Sequence, residues 1–529
     1  MTNSIDDITS EAKAFFITGS NTTETHPVIG YRIRRAIKNG AKLIVADPRR
    51  IKIAEHADVF LQLKPGTNAA LLQGMAKVIL DEKLYDEDFI KNRTEGFEEY
   101  PEKISGIDLN EMAEITGVPA EKIAEAARIY AGSDPAAILY TMGITQHTSG
   151  TDNVLALAGL ATLTGNLGKR GGGVNPLRGQ NNVQGACDTG ALPNVFPGYQ
   201  PVSSPEANKK FSEAYGAEIP DKPGMPMTKV FSAALEDKIK GVYVMGENPA
   251  VSEPDICKIT EALSKLELVV VQDLFFTETA DYADVVLPAA SFAEKDGTFV
   301  NTERRVQLGR KAINPPGDAK SDFEILSKLG QKLGLKGFDY SDASEVMKEI
   351  GELNPKWKGI TYERLEEGGL CWPCLDENHP GTPILYGEKF LTGSSKAQFK
   401  PVDYKPPAET PDDEYPFILT TGRSLYHYHT GTMTRRSEGL SDLYEMEKAL
   451  ISKEDAARLG LSENDKVRLS SRRGEVEAEV KPVSDLKEGT VFMTFHFAET
   501  CANQLTNSEL DPVASIPELK VCTVNVEKV

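Results

Sequence analysis

An internal repeat in the first 300 residues constrains the fold of this chain more than any other feature. Each copy contains an apolar run, a Gly-x-Asn turn, a stretch of helical character and a second apolar run that ends in Asp. The two turns are Gly19-Ser-Asn21 and Gly246-Glu-Asn248, and the closing residues are Asp47 and Asp273. Short apolar runs that alternate with helical stretches predict parallel sheets with helices on both faces. The repeat therefore predicts an α/β fold with two related Rossmann-like parallel-sheet domains.

The last part of the chain has a different pattern. Short stretches such as Lys466-Val-Arg-Leu-Ser470 and Glu475-Val-Glu-Ala-Glu-Val480 predict strands, and Arg472-Arg-Gly474 predicts a hairpin turn between them. We expect a C-terminal β-barrel domain. The predicted domain bounds are 1–180 and 181–405 for the two α/β domains, the second ending in a linker, and 406–529 for the barrel.

Each Gly-x-Asn turn is predicted to join a strand to the N-terminus of a helix, where α/β sheets bind phosphates and nucleotides. A single such glycine would only indicate a tight turn. Two copies at matched spacing, each followed by Asp, favour two bound nucleotide-like groups. Neither copy has the full G-x-G-x-x-G pattern, so ordinary NAD binding is not favoured.

The polar segment Asn175–Asp188 is the strongest candidate for a ligand site. It places one fixed cation, Arg178, among amide and carboxylate side chains and contains little that could build a core. A solvated loop is the alternative. The planar guanidinium of Arg matches a carboxylate or phosphate in two parallel hydrogen bonds, so we favour a site for an anionic group.

Length, charge and cysteine usage limit the class of protein. A chain of 529 residues is expected to form two to four domains, and its net charge of −20 argues against nucleic acid or anionic lipid as a partner. No apolar run is long enough to span a bilayer, and no secretory signal begins the chain. The six scattered cysteines, including the C-x-x-C pair Cys371 and Cys374, are interpreted as structural thiols and predict a cytoplasmic location.

Several motifs resemble the catalytic subunit of formate dehydrogenases in the molybdopterin oxidoreductase superfamily, and the resemblance covers essentially all 529 residues. The motifs are Gly165-Asn-Leu-Gly168, Arg178-Gly-Gln-Asn-Asn-Val-Gln-Gly-Ala-Cys-Asp188, Leu192–Pro201, Met245-Gly-Glu-Asn-Pro249, Glu294-Lys-Asp-Gly-Thr298, Asn301–Arg305 and Thr421-Gly-Arg423. The segment Phe495–Glu499 is similar to the methanogen-type enzymes that pass electrons to a deazaflavin.

The resemblance implies a molybdenum or tungsten centre held by two molybdopterin guanine dinucleotides, one on each α/β domain. The residues implied for one dinucleotide are Gly19, Asn21 and Asp47, with Lys64, Gly66 and Thr67 nearby. Those implied for the other are Met245, Gly246, Asn248, Gln272 and Asp273. Residues implied from the C-terminal domain are Thr421, Gly422, Arg423, His427, His429, Asn503 and Lys520. Further implied cofactor positions are Gly143, Gln146 and Gly179. For His147 and His496 a cofactor role and a structural role are equally favoured.

The resemblance also implies the catalytic residues. Arg178 would hold the formate carboxylate, and Gln180 would lie close to the same centre. The reaction would oxidise formate to CO2 and pass electrons to a partner subunit that carries an iron–sulfur cluster or a flavin and is linked to F420 or NAD. Cys187 is interpreted as a packing residue.

One departure from the family affects the expected activity. The family begins with a four-cysteine domain for a 4Fe–4S cluster, followed by a selenocysteine or cysteine that ligates the metal, and this sequence contains neither. We expect no metal ligand in this chain and favour a truncated form of a formate dehydrogenase over a separate subunit, so the chain alone should be inactive. The alternatives are another molybdopterin oxidoreductase, such as a nitrate reductase or formylmethanofuran dehydrogenase, and a non-catalytic scaffold subunit.

Overall fold

The computed structural model describes residues 1–529. Its contacts divide the chain into two units. The first unit contains Met1–Leu177, Val251–Cys257 and Ile384–Val529, and the second contains Arg178–Ala250 and Lys258–Pro383. The three predicted domain bounds stay a prediction.

The amino-terminal stretch of the first unit contains a five-stranded sheet of order β3-β2-β1-β5-β6. The strands of this stretch are β1 (Ala14–Thr18), β2 (Lys42–Ala46), β3 (Val59–Leu61), β4 (Thr94–Glu95), β5 (Ala136–Tyr140) and β6 (Gly173–Pro176), and all but β4 belong to the five-stranded sheet. Its helices are α1 (Ile5–Glu11), α2 (Thr22–Thr25), α3 (Pro27–Lys38), α4 (Asn68–Asp81), α5 (Glu87–Arg93), α6 (Glu99–Ser105), α7 (Leu109–Thr116), α8 (Ala120–Ala131), α9 (Met142–Thr145) and α10 (Gly150–Leu163). All pairings in the five-stranded sheet are parallel, which confirms the expected sheet type.

Helices cover both faces of this sheet. Successive side chains of a strand point to opposite faces, so Phe15 and Ile17 belong to one buried cluster and Phe16 belongs to another. The first cluster includes Ile33 of α3, and the second includes residues of α4, α8 and α10 such as Met75. Because both faces are buried, the strands have continuous apolar sequences with no alternation.

The second unit contains the second copy of the repeat. Its strands are β7 (Val195–Phe196), β8 (Gln200–Pro201), β9 (Gly241–Met245), β10 (Leu268–Asp273), β11 (Val285–Pro288), β12 (Gly297–Val300), β13 (Arg305–Gly309) and β14 (Leu370–Cys371). The helices in and beside it are α11 (Val183–Asp188), α12 (Pro205–Tyr215), α13 (Met227–Leu235), α14 (Pro249–Ser252), α15 (Ile256–Lys265), α16 (Asp322–Lys332), α17 (Ala343–Leu353) and α18 (Tyr362–Glu367). The sheet β11-β10-β9 is parallel and repeats the order β3-β2-β1, so the predicted repeat is confirmed.

The carboxyl-terminal stretch forms a closed six-stranded barrel of order β16-β20-β17-β19-β18-β21, as expected. Its strands, with the short β15 before them, are β15 (Ala397–Gln398), β16 (Phe417–Gly422), β17 (Lys448–Ser452), β18 (Lys466–Ser470), β19 (Glu475–Val483), β20 (Thr490–Thr494) and β21 (Cys522–Lys528), and its helices are α19 (Glu438–Ser441) and α20 (Lys453–Arg458). The predicted hairpin turn joins β18 to β19, with the Ser471 amide donating to the Gly474 carbonyl.

Hydrogen bonds between residues far apart in sequence join the two main stretches of the first unit. Arg93 Nη2 donates to the Tyr386 carbonyl at 2.6 Å, and the Thr148 amide donates to Glu518 Oε1 at 3.1 Å. Lys487 Nζ donates to the Gly117 carbonyl at 2.8 Å. No helix in the 529 residues combines the length and apolar character that a bilayer-spanning segment needs.

Candidate functional site

The first Gly-x-Asn turn lies at the carboxyl end of β1 and packs directly against a second glycine. Gly19 has φ of +54°, and an added Cβ there would lie 2.6 Å from the carbonyl carbon of Gly143. The Gly143 amide and the Thr141 hydroxyl both donate to the Gly19 carbonyl, at 3.2 and 2.6 Å. Glycine is therefore required at position 19 for both its backbone conformation and this close approach. The structure brings the predicted residues Gly19 and Gly143 together.

The same turn contains buried polar groups that the protein does not satisfy. The hydroxyls of Ser20 and Thr22 are buried and have no hydrogen-bond partner. Asn21 is also buried, with Oδ1 accepting from the Thr23 hydroxyl at 3.0 Å. Buried hydroxyls without partners are costly, so these two fit a turn that contacts a polar ligand. Ser20 and Thr22 were not predicted from sequence, because a hydroxyl next to a turn carries no signal until its burial is known.

A cluster of positive charge lies near Asp47, at the carboxyl end of β2. Desolvation, together with the nearby Arg423 and Arg49, lowers the pKa of Lys520 to about 7, and Asp47 opposes this effect. Burial raises the pKa of the Asp47 carboxyl, against the influence of Arg49 and Lys520. Arg423 Nη2 is buried without a hydrogen-bond partner. Three cations near two carboxylates, Asp47 and Glu24, leave an excess of positive charge that favours an anion.

Neighbouring groups fix the positions of these cations. Lys520 Nζ donates to the Thr421 carbonyl at 2.8 Å, and the Thr421 hydroxyl donates to the Leu519 carbonyl at 2.6 Å. The Arg49 guanidinium lies 3.7 Å from the centre of the Phe492 ring. At Gly422 an added Cβ would lie 2.5 Å from that same ring. Thr421, Gly422, Arg423 and Lys520 therefore lie together, and their role in binding a cofactor stays a prediction. Arg49 is an additional residue that the sequence did not reveal.

The histidines near the barrel make mainly structural contacts. His427 Nε2 lies 2.7 Å from the Tyr444 carbonyl and Nδ1 lies 3.2 Å from the Thr434 hydroxyl, so both ring nitrogens have protein partners. His496 Nε2 accepts from the Ser424 amide at 2.9 Å, and Nδ1 bonds to the His429 carbonyl. Burial lowers the pKa of His429 and of His496 to about 4, so both rings are neutral at neutral pH. A cofactor role for His427 and His429 stays a prediction.

His147 differs from the other histidines. Its Nε2 lies 2.9 Å from the Gly143 carbonyl and 3.3 Å from Asn68 Nδ2, while Nδ1 is buried without a partner. Burial lowers its pKa to about 4. A neutral ring with one unsatisfied nitrogen beside the Gly19–Gly143 contact fits a ligand-facing position, which the sequence left undecided.

Five other predicted residues of the first unit have local roles. Asn503 Nδ2 donates to the carbonyls of Val251 and Ser252 at 2.9 and 3.0 Å. Lys64 Nζ donates to the Glu114 carbonyl at 3.3 Å, and the Thr67 hydroxyl donates to the Lys64 carbonyl at 2.7 Å. Gly66 has φ of +84°, and the amide of Gln146 closes α9 on the Met142 carbonyl.

The second Gly-x-Asn turn has free space around its glycine, whereas the glycine of the first turn packs against Gly143. Gly246 has φ of +65°, and an added Cβ would meet no atom within 4 Å. Asn248 Oδ1 accepts from the amide and hydroxyl of Thr279, and its Nδ2 donates to Glu278 Oε2 at 2.7 Å. Asn248 therefore holds the chain after β10, and the open surface belongs to the backbone at Gly246.

Gln272 belongs to a polar network that the sequence did not reveal. Its Oε1 accepts from the Tyr243 hydroxyl, and its Nε2 donates to Asp322 Oδ1 at 2.7 Å. Asp322 is also paired with Lys295. Asp322 and Lys295 line a cavity of about 240 Å³, and Phe323 lines it as well. At the end of β10, Asp273 Oδ1 accepts from the Leu274 amide at 2.6 Å.

The polar loop of the second unit is organised around Asp188, which is 1% exposed. Its carboxylate accepts hydrogen bonds from Gln184 Nε2 at 2.7 Å, from the Tyr199 hydroxyl at 2.8 Å and from Trp372 Nε1 at 2.5 Å. Burial raises its pKa, and the three donors oppose that effect. Asp188 therefore fixes the conformation of the loop. The sequence did not indicate this role, because its partner Trp372 lies 184 residues away along the chain.

Arg178 is exposed and held at the head of this loop. Its amide donates to the Thr302 hydroxyl at 2.9 Å, and its Nε donates to Gln184 Oε1 at 3.2 Å. Gln184, which is itself hydrogen-bonded to Asp188, therefore restrains the orientation of the Arg178 guanidinium. Gly179 and Gln180 follow it and are half-buried. Burial raises the pKa of the Cys187 thiol, in agreement with a packing residue and not a nucleophile.

No group of three or more His, Cys, Asp or Glu side chains in the 529 residues is arranged to hold a metal ion. All six cysteines are free thiols. Cys371 and Cys374 are buried, and Cys374 Sγ lies 3.3 Å from Arg364 Nη1.

Comparisons with known proteins show which family this chain resembles. A family model described as Molybdopterin oxidoreductase matches residues 1–332, and one described as Molydopterin dinucleotide binding domain matches residues 417–523. The F420-dependent formate dehydrogenase subunit alpha of Methanocaldococcus jannaschii is 52% identical, over 100% of this chain and 78% of its own length. Formate dehydrogenase H of Escherichia coli is 40% identical, over 100% of this chain and 74% of its own length.

A solved structure has the same fold. Acetylene hydratase from Pelobacter acetylenicus superposes with a TM-score of 0.78 at 22% identity, covering 98% of this chain and 78% of the other. The match of the Molybdopterin oxidoreductase model to more than half of its length shows that the chain belongs to the molybdopterin oxidoreductase family.

Proposed function

We propose that this chain acts in a formate dehydrogenase as the catalytic subunit that oxidises formate to CO2 at a molybdenum or tungsten centre held by two molybdopterin guanine dinucleotides. The observation that carries the proposal is that Arg178, at the start of a polar loop, is exposed while its Nε is hydrogen-bonded to Gln184. The full-length similarity to enzymes named formate dehydrogenase supports the same substrate.

The first unit offers groups that fit a diphosphate-containing cofactor. Lys520 and Arg423 would neutralise its phosphates, and the unsatisfied hydroxyls of Ser20 and Thr22 would donate to phosphate or sugar oxygens. Asp47 is an acceptor suited to the N–H groups of a guanine or to ribose hydroxyls. The donors and the net positive charge therefore fit the anionic end of one dinucleotide.

The second unit offers a different set of groups for the second dinucleotide. The backbone at Gly246 is open to a ligand, and Asp273 lies at the end of the neighbouring strand. Gln272 and Asp322 are fixed by each other beside a cavity of about 240 Å³. These groups fit a polar ring system better than a phosphate, because the network contains only one cation, Lys295.

The side chains of the loop bind and orient formate. Arg178 would pair with the carboxylate. Gln184 and Asp188 hold the guanidinium in one orientation, so that little conformational entropy is lost when formate binds. The oxidation of formate releases CO2, one proton and two electrons. The metal–pterin centre, when bound, supplies this two-electron chemistry. A partner subunit with an iron–sulfur cluster or flavin, linked to F420 or NAD, would receive the electrons.

The test uses the complete metal-loaded enzyme with Arg178→Ala. Loss of a charge-assisted pair worth about 3 kcal/mol should lower kcat/KM for formate about 100-fold, with the pterin content unchanged. Arg178→Lys keeps the positive charge but lacks the planar pair of N–H donors, so its kcat/KM should lie between that of the unmodified enzyme and that of Arg178→Ala. Arg310→Ala, which removes an exposed ion pair with Glu366, is the matched control. Normal formate turnover by Arg178→Ala would contradict the proposal.

A further inference from the structure

Helix α3 has one face that is exposed along its whole length and carries three cations. Its inward residues Ile29 and Ile33 belong to a buried cluster on one face of the first sheet. The residues on the opposite side recur at helical spacing and are all exposed. They are Val28, Tyr31, Arg34, Arg35 and Lys38, and we call them the α3 face. Val28 and Tyr31 are each 67% exposed, and no other tyrosine or phenylalanine of the chain is as exposed as Tyr31.

The three cations of the α3 face have no counter-ion. Arg32, at the edge of this face, is paired with Asp6, but no carboxylate among the 529 residues pairs with Arg34, Arg35 or Lys38. Arg34 and Arg35 lie four and three residues before Lys38, so like charges are neighbours on the helix surface and weaken the helix slightly. The dipole of α3 favours the cations of its last turn, which offsets part of this repulsion. The charges themselves stay unneutralised.

The second copy of the repeat shows that the fold does not need this positive charge. Residues 26–56, which include α3 and β2, contain eight Lys and Arg and two Asp and Glu. The matching residues 253–283, which include α15 and β10, contain two Lys and Arg and seven Asp and Glu. Both stretches form a helix followed by the middle strand of an equivalent parallel arrangement. The same α/β unit therefore folds with either sign of charge.

The α3 face is also separate from the anion site near Asp47. β1 and β2 are parallel, so α3 runs back along the sheet from the Gly19 turn and ends just before β2 begins. Arg34, Arg35 and Lys38 therefore lie toward the amino ends of the strands, whereas Gly19 and Asp47 lie at the carboxyl ends. A ligand at the carboxyl ends of the strands does not account for these three cations.

We propose that the α3 face docks an acidic surface of a partner protein. Arg and Tyr are enriched at the centre of protein interfaces, and complementary charge speeds association and fixes orientation. A membrane fits less well, because the apolar side of α3 is buried and only Val28 and Tyr31 could enter lipid. A nucleic acid fits less well, because the chain has a net charge of −20 and phosphate polymers need many cations.

An acidic polypeptide tests the proposal on the purified 529-residue chain. Fluorescence anisotropy with a labelled random copolymer of Glu and Tyr should show saturable binding that weakens as salt is raised. The triple variant Arg34→Glu/Arg35→Glu/Lys38→Glu should bind the copolymer at least about tenfold more weakly, because three attractive contacts become repulsive. Arg34→Gln/Arg35→Gln/Lys38→Gln, which also removes the repulsion within α3, should bind several-fold more weakly. Absence of binding by the unmodified chain would overturn the proposal.

A matched control separates the α3 face from the net charge of the chain. Lys328→Glu/Lys332→Glu/Lys336→Glu replaces three exposed lysines of the second unit and changes the net charge by the same amount. This control should bind the copolymer like the unmodified chain, and an equal loss of binding in both Glu variants would overturn the proposal. Tyr31→Ala keeps the charge and should remove any preference for the copolymer over polyglutamate. Melting temperatures verify that each variant is folded.

Three further outcomes would contradict a protein partner. Tighter binding of duplex DNA or of phosphatidylserine vesicles than of the copolymer would assign the α3 face to nucleic acid or to lipid. In the complete enzyme purified from its host, a photo-crosslinking amino acid in place of Tyr31 should join α3 to an acidic segment of a second protein. A crosslink only to another copy of this chain would overturn the proposal. None of these measurements uses formate, so a failure here is distinct from a failure of the proposed reaction.

Discussion

The cluster of Lys520, Arg423, Arg49 and Asp47 should make anion binding by the free chain depend on pH. Without an anion, the pKa of Lys520 is lowered to about 7. A phosphate group placed beside it would favour the charged lysine and restore the pKa toward its ordinary value of 10.5. Binding therefore takes up a proton between pH 7 and pH 10, and affinity falls as pH rises through this window.

The size of the effect follows from the two pKa values. With a pKa of about 7 in the free chain and about 10.5 in the complex, the dissociation constant rises roughly 50-fold between pH 7 and pH 9, equivalent to about 2 kcal/mol. Lys520→Met removes the titrating group and should abolish this dependence. Lys520→Arg stays charged throughout and should bind with an affinity that does not change over the same interval.

Isothermal titration calorimetry of the cofactor-free chain with GDP as the probe measures this effect. Titration in two buffers of different ionisation enthalpy counts the protons taken up. Lys520→Met titrated with GDP at the same pH values corrects for the ionisation of GDP itself, so the difference between the two proteins reports on Lys520. A dissociation constant that is the same for the unmodified chain at both pH values, or an equal pH dependence in Lys520→Met, would refute the reasoning.

Three further predictions concern stability. Gly19→Ala should cost at least about 3 kcal/mol of unfolding free energy, because its Cβ would lie 2.6 Å from a neighbouring carbonyl carbon, whereas Gly246→Ala, in open space, should cost about 1 kcal/mol. Asp188→Ala should cost about 2–4 kcal/mol and shift the fluorescence of Trp372 to the red, because the buried Gln184 and the half-buried Tyr199 and Trp372 lose their acceptor. Burial raises the pKa of Glu447 to about 7, so the protonated side chain stabilises the fold at pH 5 and this stabilisation is lost as pH rises through 7. Between pH 5 and pH 8 the unfolding free energy of Glu447→Gln should therefore rise by about 2.5 kcal/mol relative to that of the unmodified chain.

Each of these predictions has a contrary outcome. Equal denaturation midpoints for the two glycine variants would show that the close approach at Gly19 is not limiting. An unshifted Trp372 spectrum in Asp188→Ala would mean that the loop is anchored elsewhere. A constant difference between Glu447→Gln and the unmodified chain from pH 5 to pH 8 would place the pKa of Glu447 near its ordinary value.

The regular elements were predictable because their signals are local. The run Ala14–Thr18 and the stretch Lys466–Ser470 coincide with β1 and β18, since apolar runs and alternation depend only on neighbouring residues. The order of strands in the barrel was not predictable. β16 lies between β20 and β21, and pairing between strands some 70 to 100 residues apart has no signature in one sequence.

The candidate site was predictable only in part, for the same physical reason. Gly19 and Arg178 stand out because their residue types are chemically distinctive at those places. The partners that define their roles, such as Gly143 for Gly19, lie far along the chain. Asn503 donates to two carbonyls, which the sequence did not reveal, because an amide in a short helical turn satisfies whichever acceptors the fold brings near; its cofactor role stays a prediction.

The hydrogen bonds between the two main stretches of the first unit also set an order of events during protein synthesis. Residues 1–177 leave the ribosome before the whole second unit, yet Arg93, Thr148 and Gly117 find their partners only after residues 384–529 have been translated. The early stretch must therefore wait in an incomplete state, exposed to aggregation and to chaperones, while an inserted unit folds. A single proteolytic cut within 258–383 in the mature protein would not release either main stretch of the first unit, because these contacts would hold the two pieces together.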